Sequence, residues 1–307
     1  MSAVAKGRLC IVLAAILWSL GGAFTKVLTE DTPFGFDEPR IETLRFAGRN
    51  VPIQIAFYRA LFAGLVLVPT LRPRDICFKP MMLVMATCFV LMNATYVTAQ
   101  ALGTAANAIL LQNSAPLWMY LVSILWLGDV PSRRGTISLF VGLAGIAIIV
   151  AGGWTEGELV VVAIALFSGL NYAGIILCLR LLRNLPANWL TVWNHLIGAL
   201  ALLPLVLLLN PPTWQQYIVL VLFGVVQLGL GYYLMAYGLR FVDATEAGAI
   251  VLLEPILNPL WTYFVCGETP NSWTYVGGAV ILLALAYRYW PTGQKEQPRS
   301  TESDLVR

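Results

Sequence analysis

The sequence predicts an all-α integral membrane protein with ten transmembrane helices in two inverted five-helix repeats. Hydrophobic residues make up 59% of its 307 residues and charged residues only 11%, whereas a soluble domain carries roughly 25% charged residues. The apolar residues come in blocks of about 20, the length that spans a bilayer as a helix. One segment of the first half also recurs in the second half, which indicates an internal repeat.

Ten apolar blocks with few charges are the predicted spans. They lie near residues 9–28, 52–71, 81–101, 105–127, 135–152, 159–179, 188–209, 215–239, 245–265 and 272–290. Prolines such as Pro73, Pro131 and Pro270 fall between blocks, where helices end. The first block follows Lys6 and Arg8 like a signal peptide, but its apolar run is longer and no cleavage motif follows. We therefore expect a retained first helix.

Lysine and arginine residues predict the orientation of the spans. With the N-terminus inside, the outside loops contain three of them, Arg40, Arg45 and Arg49. The cytoplasmic segments contain fourteen: Lys6, Arg8, Arg72, Arg74, Lys79, Arg133, Arg134, Arg180, Arg183, Arg240, Arg288, Lys295, Arg299 and Arg307. Because short cytoplasmic loops are enriched in these residues, we expect a multi-pass protein of the cell (inner or plasma) membrane with both termini in the cytoplasm.

Two segments are predicted to lie outside the membrane. Residues 29–51 form an outside loop of mixed charge, with a short surface helix as one option. Residues 291–307 form a polar cytoplasmic tail that we expect to be disordered. The predicted domains are thus 1–152, which includes the outside loop, and 153–290, each a five-helix repeat.

The repeat is clearest where APLWMYLVSILWLGDVP (115–131) aligns without gaps on EPILNPLWTYFVCGETP (254–270). The matched pairs, all 139 residues apart, are Pro116 with Pro255, Gly128 with Gly267, Asp129 with Glu268, and Pro131 with Pro270. Each copy has a mid-span proline, so we predict helix breaks at Pro116 and Pro255. Five helices per half give the copies opposite orientation, and inverted repeats are typical of transporters with a substrate site at the midplane.

Several motifs occur in a fixed order along the chain. They are LWSLGGAFTK (17–26), AFYRALFAGL (56–65), LGDVP (127–131), GVVQLGLGYYLMAYGLRFVDATEAG (224–248), LLEP (252–255) and CGETP (266–270). In these motifs the chain resembles the EamA-type transporters of the drug/metabolite transporter (DMT) superfamily, from about residue 9 to 290. The resemblance implies alternating-access transport of a small metabolite, by default export of an amino acid or related compound. The long outside loop and Asp129 in place of Glu depart from the family pattern.

Ionisable residues inside the predicted spans call for an explanation, because a charge at the bilayer centre costs about 2.5–3.5 kcal/mol. Glu254 lies mid-span beside Pro255, with Asn258 one turn further on the same face. It would bind a substrate's cationic or amine group, carry a proton, or fix helix packing through a hydrogen bond. Arg59 would bind an anionic group, pair with Glu254, or snorkel outwards. Lys26, near the outer end of the first helix, is expected to snorkel to the interface.

Uncharged polar and aromatic side chains recur at helical spacing in several spans. Interhelical hydrogen bonds explain any one of them, whereas several together fit a cavity for a polar or aromatic metabolite. The candidate binding residues of this kind are Trp18, Asn93, Tyr96, Gln112, Asn113, Asn171 and Tyr172.

Other classes of membrane protein are less compatible with the sequence. We find no GxSxG, HExxH or P-loop motif and a single histidine, His195, so we expect no enzymatic activity, metal site or cofactor. A channel, or a structural or sensor protein that does not transport, remains the alternative. The expected partners are a small-molecule substrate, the lipid bilayer and a coupling proton or other ion gradient, with no nucleic acid. No sequence feature indicates an oligomeric state.

Overall fold

The computed structural model describes residues 2–31, 40–152 and 156–289, and most of these residues are helical. Nine helices in those ranges are long and apolar enough to cross a membrane, which confirms the prediction of an all-α membrane protein. The last predicted span is the 18-residue helix Ser272–Tyr289. It is not among the nine, and polar residues such as Thr274 and Arg288 near its ends lower its mean hydropathy. The number ten therefore stays a prediction.

The described residues form fourteen α-helices. In chain order they are α1 (Ala3–Ser19), α2 (Gly21–Thr29), α3 (Ile53–Leu67), α4 (Met81–Leu102), α5 (Ala105–Gln112), α6 (Ala115–Leu127), α7 (Arg133–Gly152), α8 (Glu156–Leu181), α9 (Ala187–Val206), α10 (Trp214–Leu222), α11 (Gly231–Gly238), α12 (Ala244–Val251), α13 (Leu253–Cys266) and α14 (Ser272–Tyr289). A π-helix, Phe223–Leu230, joins α10 to α11. Single 3₁₀ turns at Val68–Thr70 and Pro73–Asp75 follow α3.

Three predicted spans are each divided into two helices. The first is interrupted at Leu20, the fourth at residues 113–114 and the ninth at Leu252. The predicted breaks at Pro116 and Pro255 are wrong by a few residues, since these prolines lie in the first turns of α6 and α13. A first-turn proline is tolerated because its missing N–H would have no partner within the helix. Each proline therefore begins a helix rather than ending one.

The matching segments of the two halves have the same local structure. Helix α12 begins and ends 139 residues after α5. Gly267, which caps α13, likewise lies 139 residues after Gly128, which caps α6. Gly128 and Gly267 are left-handed, with φ of 68° and 69°. A side chain would be strained there, which explains why both positions are glycine.

The helices pack in pairs that are related between the halves. Helix α7 packs along α14, and α3 packs along α9. Helix α4 packs along α8, and in the same way α11 packs along α1. Exchanging the spans of one half for those of the other maps these pairs onto one another, as a two-fold relation would. The inverted orientation of the halves and the domain boundary after residue 152 stay predictions.

The described part of the first loop is a β-hairpin instead of the surface helix that we considered. Strands β1 (Leu44–Phe46) and β2 (Arg49–Val51) pair antiparallel. Just before them, buried Ile41 donates its N–H to the Leu28 carbonyl at 3.1 Å, and Glu42 accepts the N–H of Asn210. These contacts hold the loop against the adjoining end of the helix bundle. Residues 32–39 and the tail at 291–307 lie outside the described residues.

Candidate functional site

A cavity of about 80 Å³, the central cavity, lies between helices of both halves. Seven of the ten predicted binding residues line it: Trp18, Arg59, Tyr96, Gln112, Asn113, Tyr172 and Glu254. They come from α1, α3, α4, α5, α8, α13 and the break between α5 and α6, so the interrupted spans bring distant parts of the sequence together. Their role in binding stays a prediction.

The other three predicted residues, all asparagines, do not line the central cavity. Their amides donate to backbone carbonyls: Asn93 to Ala56 (2.7 Å), Asn171 to Phe167 (2.8 Å) and Asn258 to Ser19 (3.0 Å). Asn258 lies so close to α2 that a Cβ on Gly22 would come within 2.9 Å of its Oδ1. Asn93 and Asn258 therefore join neighbouring helices, which is the interhelical explanation that the sequence left open, whereas Asn171 bonds within its own helix, α8.

Arg59 turns into the protein. Its residue exposure is 5%, so the expectation that it snorkels outwards is wrong. The guanidinium carbon lies 4.9 Å from the ring centre of Phe223 and 5.7 Å from that of Tyr96, within the range of cation–π attraction. Arg59 and Glu254 line the same cavity without forming an ion pair in the described structure.

The buried polar atoms around the central cavity are mainly hydrogen-bond donors. Nε and Nη1 of Arg59, Nε1 of Trp18 and the hydroxyl of Tyr96 have no hydrogen-bond partner among the described residues. Leaving a buried polar group unpaired costs about 1–3 kcal/mol. A ligand that supplies acceptor oxygens would recover part of this cost, and a carboxylate suits a guanidinium best. Glu254 supplies an acceptor for a cationic group in the same cavity.

Four residues that line the cavity were not predicted: Met92, Gln227, Leu228 and Tyr232. Gln227 donates from Nε2 to the Trp18 carbonyl at 2.9 Å. Residues five apart, such as Gln227 and Tyr232, lie on different faces of an α-helix. The π-helix, with hydrogen bonds between residues five apart, brings them to one side. Polar residues at this spacing inside an apolar block were the signal that could have found them.

The same π-helix explains a close approach to α3. Gly224 and Gly229 are also five residues apart, and both face α3. A Cβ on Gly224 would lie 2.9 Å from the Arg59 carbonyl, and one on Gly229 would lie 2.5 Å from a methyl of Val66. Only glycine permits this packing, which fixes the backbone that carries Arg59.

A larger, mainly apolar cavity of about 240 Å³ adjoins the central cavity and shares Trp18 and Tyr232 with it. The two rings meet edge to face with centroids 5.2 Å apart, so they form the boundary between the two spaces. The larger cavity also contacts Leu67 at the end of α3 and Ala187 at the start of α9. We call it the inner vestibule, because this end of the bundle is predicted to face the cytoplasm.

At the opposite end lies a largely buried ionic cluster, which we call the outer lock. Nζ of Lys26 lies 2.9 Å from Glu268 and 2.6 Å from Glu30, and it donates to the Gly103 carbonyl at 2.9 Å. The side chains of Lys26 and Glu268 are only 4% and 11% exposed, so the expectation that Lys26 snorkels is wrong. Glu268 also accepts the N–H of Ala105 at 2.8 Å, where the start of α5 favours a negative charge.

Comparison with known proteins identifies the family of the chain's relatives. A sequence model of the EamA-like transporter family matches residues 44–151 and again 155–289. An uncharacterized transporter of Archaeoglobus fulgidus is 27% identical over 90% of this chain and 93% of its own length. A pseudopaline exporter of Pseudomonas aeruginosa is 24% identical over 91% of this chain and 94% of its own. A biotin transporter of Escherichia coli is 26% identical over 80% of this chain and 85% of its own length.

A solved crystal structure has the same fold. It superposes with a TM-score of 0.62 over 92% of this chain and 97% of its own length, at 17% identity.

Proposed function

The chain belongs to the EamA-like transporter family, and from this premise we propose that this membrane transporter is a secondary carrier that works by alternating access. Its substrate is a small metabolite with a carboxylate, such as an amino acid or a related compound. It moves the substrate across the inner or plasma membrane, and the direction is export. The name of the Pseudomonas relative, an exporter, supports that direction.

The observation that carries this proposal is the position of the central cavity. It contains the buried guanidinium of Arg59 and the carboxyl of Glu254, which do not pair with each other. In this proposal the outer lock separates the cavity from the outside, and the Trp18–Tyr232 ring pair, which both cavities share, separates it from the inner vestibule. A site closed at one end and reached from the other is what one state of an alternating-access carrier requires.

Transport then proceeds from the cytoplasmic side. The substrate enters the inner vestibule, displaces the rings of Trp18 and Tyr232, and places its carboxylate against Arg59. A charged hydrogen bond of this kind contributes about 1.5–3 kcal/mol. Closure of the inner end and separation of Lys26 from Glu268 would release the substrate outside. In this cycle Glu254 either carries a coupling proton or binds the substrate's amine.

Solute counterflow in proteoliposomes tests the carrier function. A thermal-shift screen of metabolites first supplies a ligand, since binding raises apparent stability. Proteoliposomes loaded with this ligand should transiently accumulate the labelled compound above its equilibrium level, which a channel cannot do. Arg59→Gln should abolish accumulation, whereas Arg74→Gln, at an exposed position outside the cavities, should not. Downhill flux without counterflow would contradict a carrier.

Glu254→Gln separates the two roles of Glu254. If the carboxyl carries the coupling proton, the variant should retain exchange of substrate but lose uptake driven by a pH gradient. If it binds the amine, substrate affinity itself should fall by roughly 10-fold or more, the equivalent of a charged hydrogen bond. Full gradient-driven transport by the variant would show that Glu254 only fixes helix packing.

A further inference from the structure

A third cavity opens from the inner vestibule towards the side of the protein. It has a volume of about 200 Å³ and shares Leu67, Thr70 and Tyr233 with the vestibule. Its remaining lining, from α3 and the π-helix, is aliphatic or glycine. We call this space the side crevice. The central cavity, inner vestibule and side crevice thus adjoin one another in sequence through shared residues.

The chemistry of the three connected spaces changes from one end to the other. The central cavity presents the buried, unpartnered donors of Arg59, Trp18 and Tyr96. The inner vestibule and side crevice have a mainly apolar lining, with no charged side chain among the residues that line them. A ligand that fills all three needs an anionic group at one end only, and the remainder must be apolar, because burying an unpaired polar group in the crevice is costly.

The side crevice reaches the lipid-facing surface. Val66, Leu230 and Tyr233 line it and are 41%, 42% and 50% exposed, respectively, on segments that lie in membrane-spanning helices. The missing side chain of Gly229 leaves α3 and the π-helix in contact at the inner wall. An apolar chain could therefore pass between the bilayer and the vestibule without crossing water.

We propose that the substrate is an amphipathic carboxylate, with its carboxylate at Arg59 and its apolar chain or ring in the inner vestibule, reaching the side crevice. This rests on the proposed carrier function and specifies the substrate class of the same site. The carboxylate enters through the inner vestibule and passes between the rings of Trp18 and Tyr232, and the chain then extends from the vestibule into the crevice, towards the lipid side.

Binding of a homologous series of carboxylates tests the substrate class. The full chain is reconstituted in nanodiscs, and the affinities of straight-chain carboxylates from acetate to octanoate are measured by titration calorimetry, with empty nanodiscs as the blank. Each added methylene should raise affinity about four-fold while the chain is being buried. Primary alcohols of the same lengths should bind more weakly, and Arg59→Gln should remove the difference between acid and alcohol.

Two matched variants locate the chain. Ala236 lines the inner vestibule, and Ala236→Phe should reduce the affinity for octanoate by 10-fold or more while leaving acetate unchanged. Ala201, exposed on α9 and outside the three cavities, is the control, and Ala201→Phe should leave both affinities unchanged.

Equal affinities for acetate and octanoate, or an Ala236→Phe protein that binds octanoate normally, would overturn this substrate class. Counterflow of another ligand would in that case still support the carrier function. Chain-length-dependent binding without counterflow of the bound carboxylate would instead support the site and contradict the carrier.

Discussion

Asp129 and Glu268 occupy matching positions in the two halves, yet they end in different environments. Each follows a left-handed glycine that ends a helix, α6 or α13. Asp129 receives two hydrogen bonds from Arg180, at 2.6 and 3.0 Å, and both side chains are well exposed, at 39% and 44%. Glu268 contacts Lys26 in the outer lock, where both are nearly buried. The same short motif thus forms a surface ion pair at one end of the bundle and a nearly buried ion pair at the other.

The difference comes from what surrounds each acid, since the motif itself is shared. Lys26 reaches Glu268 from α2, after the interruption of the first span at Leu20, and the start of α5 adds a donor through Ala105. Nearby, the hairpin loop lies over the same end of the bundle. Burial weakens screening by water, so removing one partner of an ion pair there destabilises the protein far more than removing one at the surface.

Replacement of the two cations should have very different effects on stability. Lys26→Met leaves Glu268 charged, nearly buried and without its cation, which should cost about 3–5 kcal/mol. Arg180→Met removes the partner of an exposed acid and should leave the unfolding midpoint unchanged. Denaturant unfolding of both purified variants, followed by tryptophan fluorescence, measures the difference. Similar midpoints for the two variants would show that the outer lock is not energetically distinct.

A double variant sharpens this comparison by removing both charges of the lock. Glu268→Gln retains an acceptor for the Ala105 N–H, so the pair Lys26→Met and Glu268→Gln should be more stable than Lys26→Met alone. We expect an interaction energy of about 0.5–3 kcal/mol in the double-mutant cycle. The corresponding cycle at Arg180 and Asp129 should give a value close to zero. If the two changes in unfolding free energy at Lys26 and Glu268 simply add, the two side chains do not stabilise each other.

The two glycines should respond alike, in contrast to the acids that follow them. No atom lies within 4 Å of a Cβ placed on Gly128 or Gly267, so alanine meets only backbone strain. Gly128→Ala and Gly267→Ala should each cost about 1–2 kcal/mol. Unequal losses, measured by the same unfolding assay, would show that the two helix ends differ locally and not only in burial.

The sequence predicted the helical membrane fold well because long apolar blocks have few alternatives in lipid. Most residues that line the central cavity could also be predicted from the sequence, because polar side chains such as Gln112 and Tyr172 are conspicuous inside apolar blocks. The three asparagines do not line that cavity, because residues such as Asn258 donate to a neighbouring backbone instead, which depends on helix packing. Gln227 and Tyr232 were missed because the π-helix changes the helical period.

The outer lock could not be read from local pattern at all. Lys26 near a helix end has the spacing of an interfacial residue, and Glu268 lies in a turn more than 200 residues further on. Only the packing of α2 against α5 and α13 brings the two together. Long-range ion pairs of this kind are set by the tertiary structure.

Cysteine accessibility tests most directly whether the buried pair closes one end of the central cavity. Asn113→Cys places a thiol in that cavity of a protein whose five native cysteines are replaced. Exposed markers, Asn50→Cys and Arg133→Cys, identify the two sides in separate preparations. An impermeant thiol reagent should label Cys at 113 only from the Arg133 side, and after Lys26→Met from both sides. Labelling from the Asn50 side while Lys26 is intact, or no new labelling after Lys26→Met, would contradict the closure.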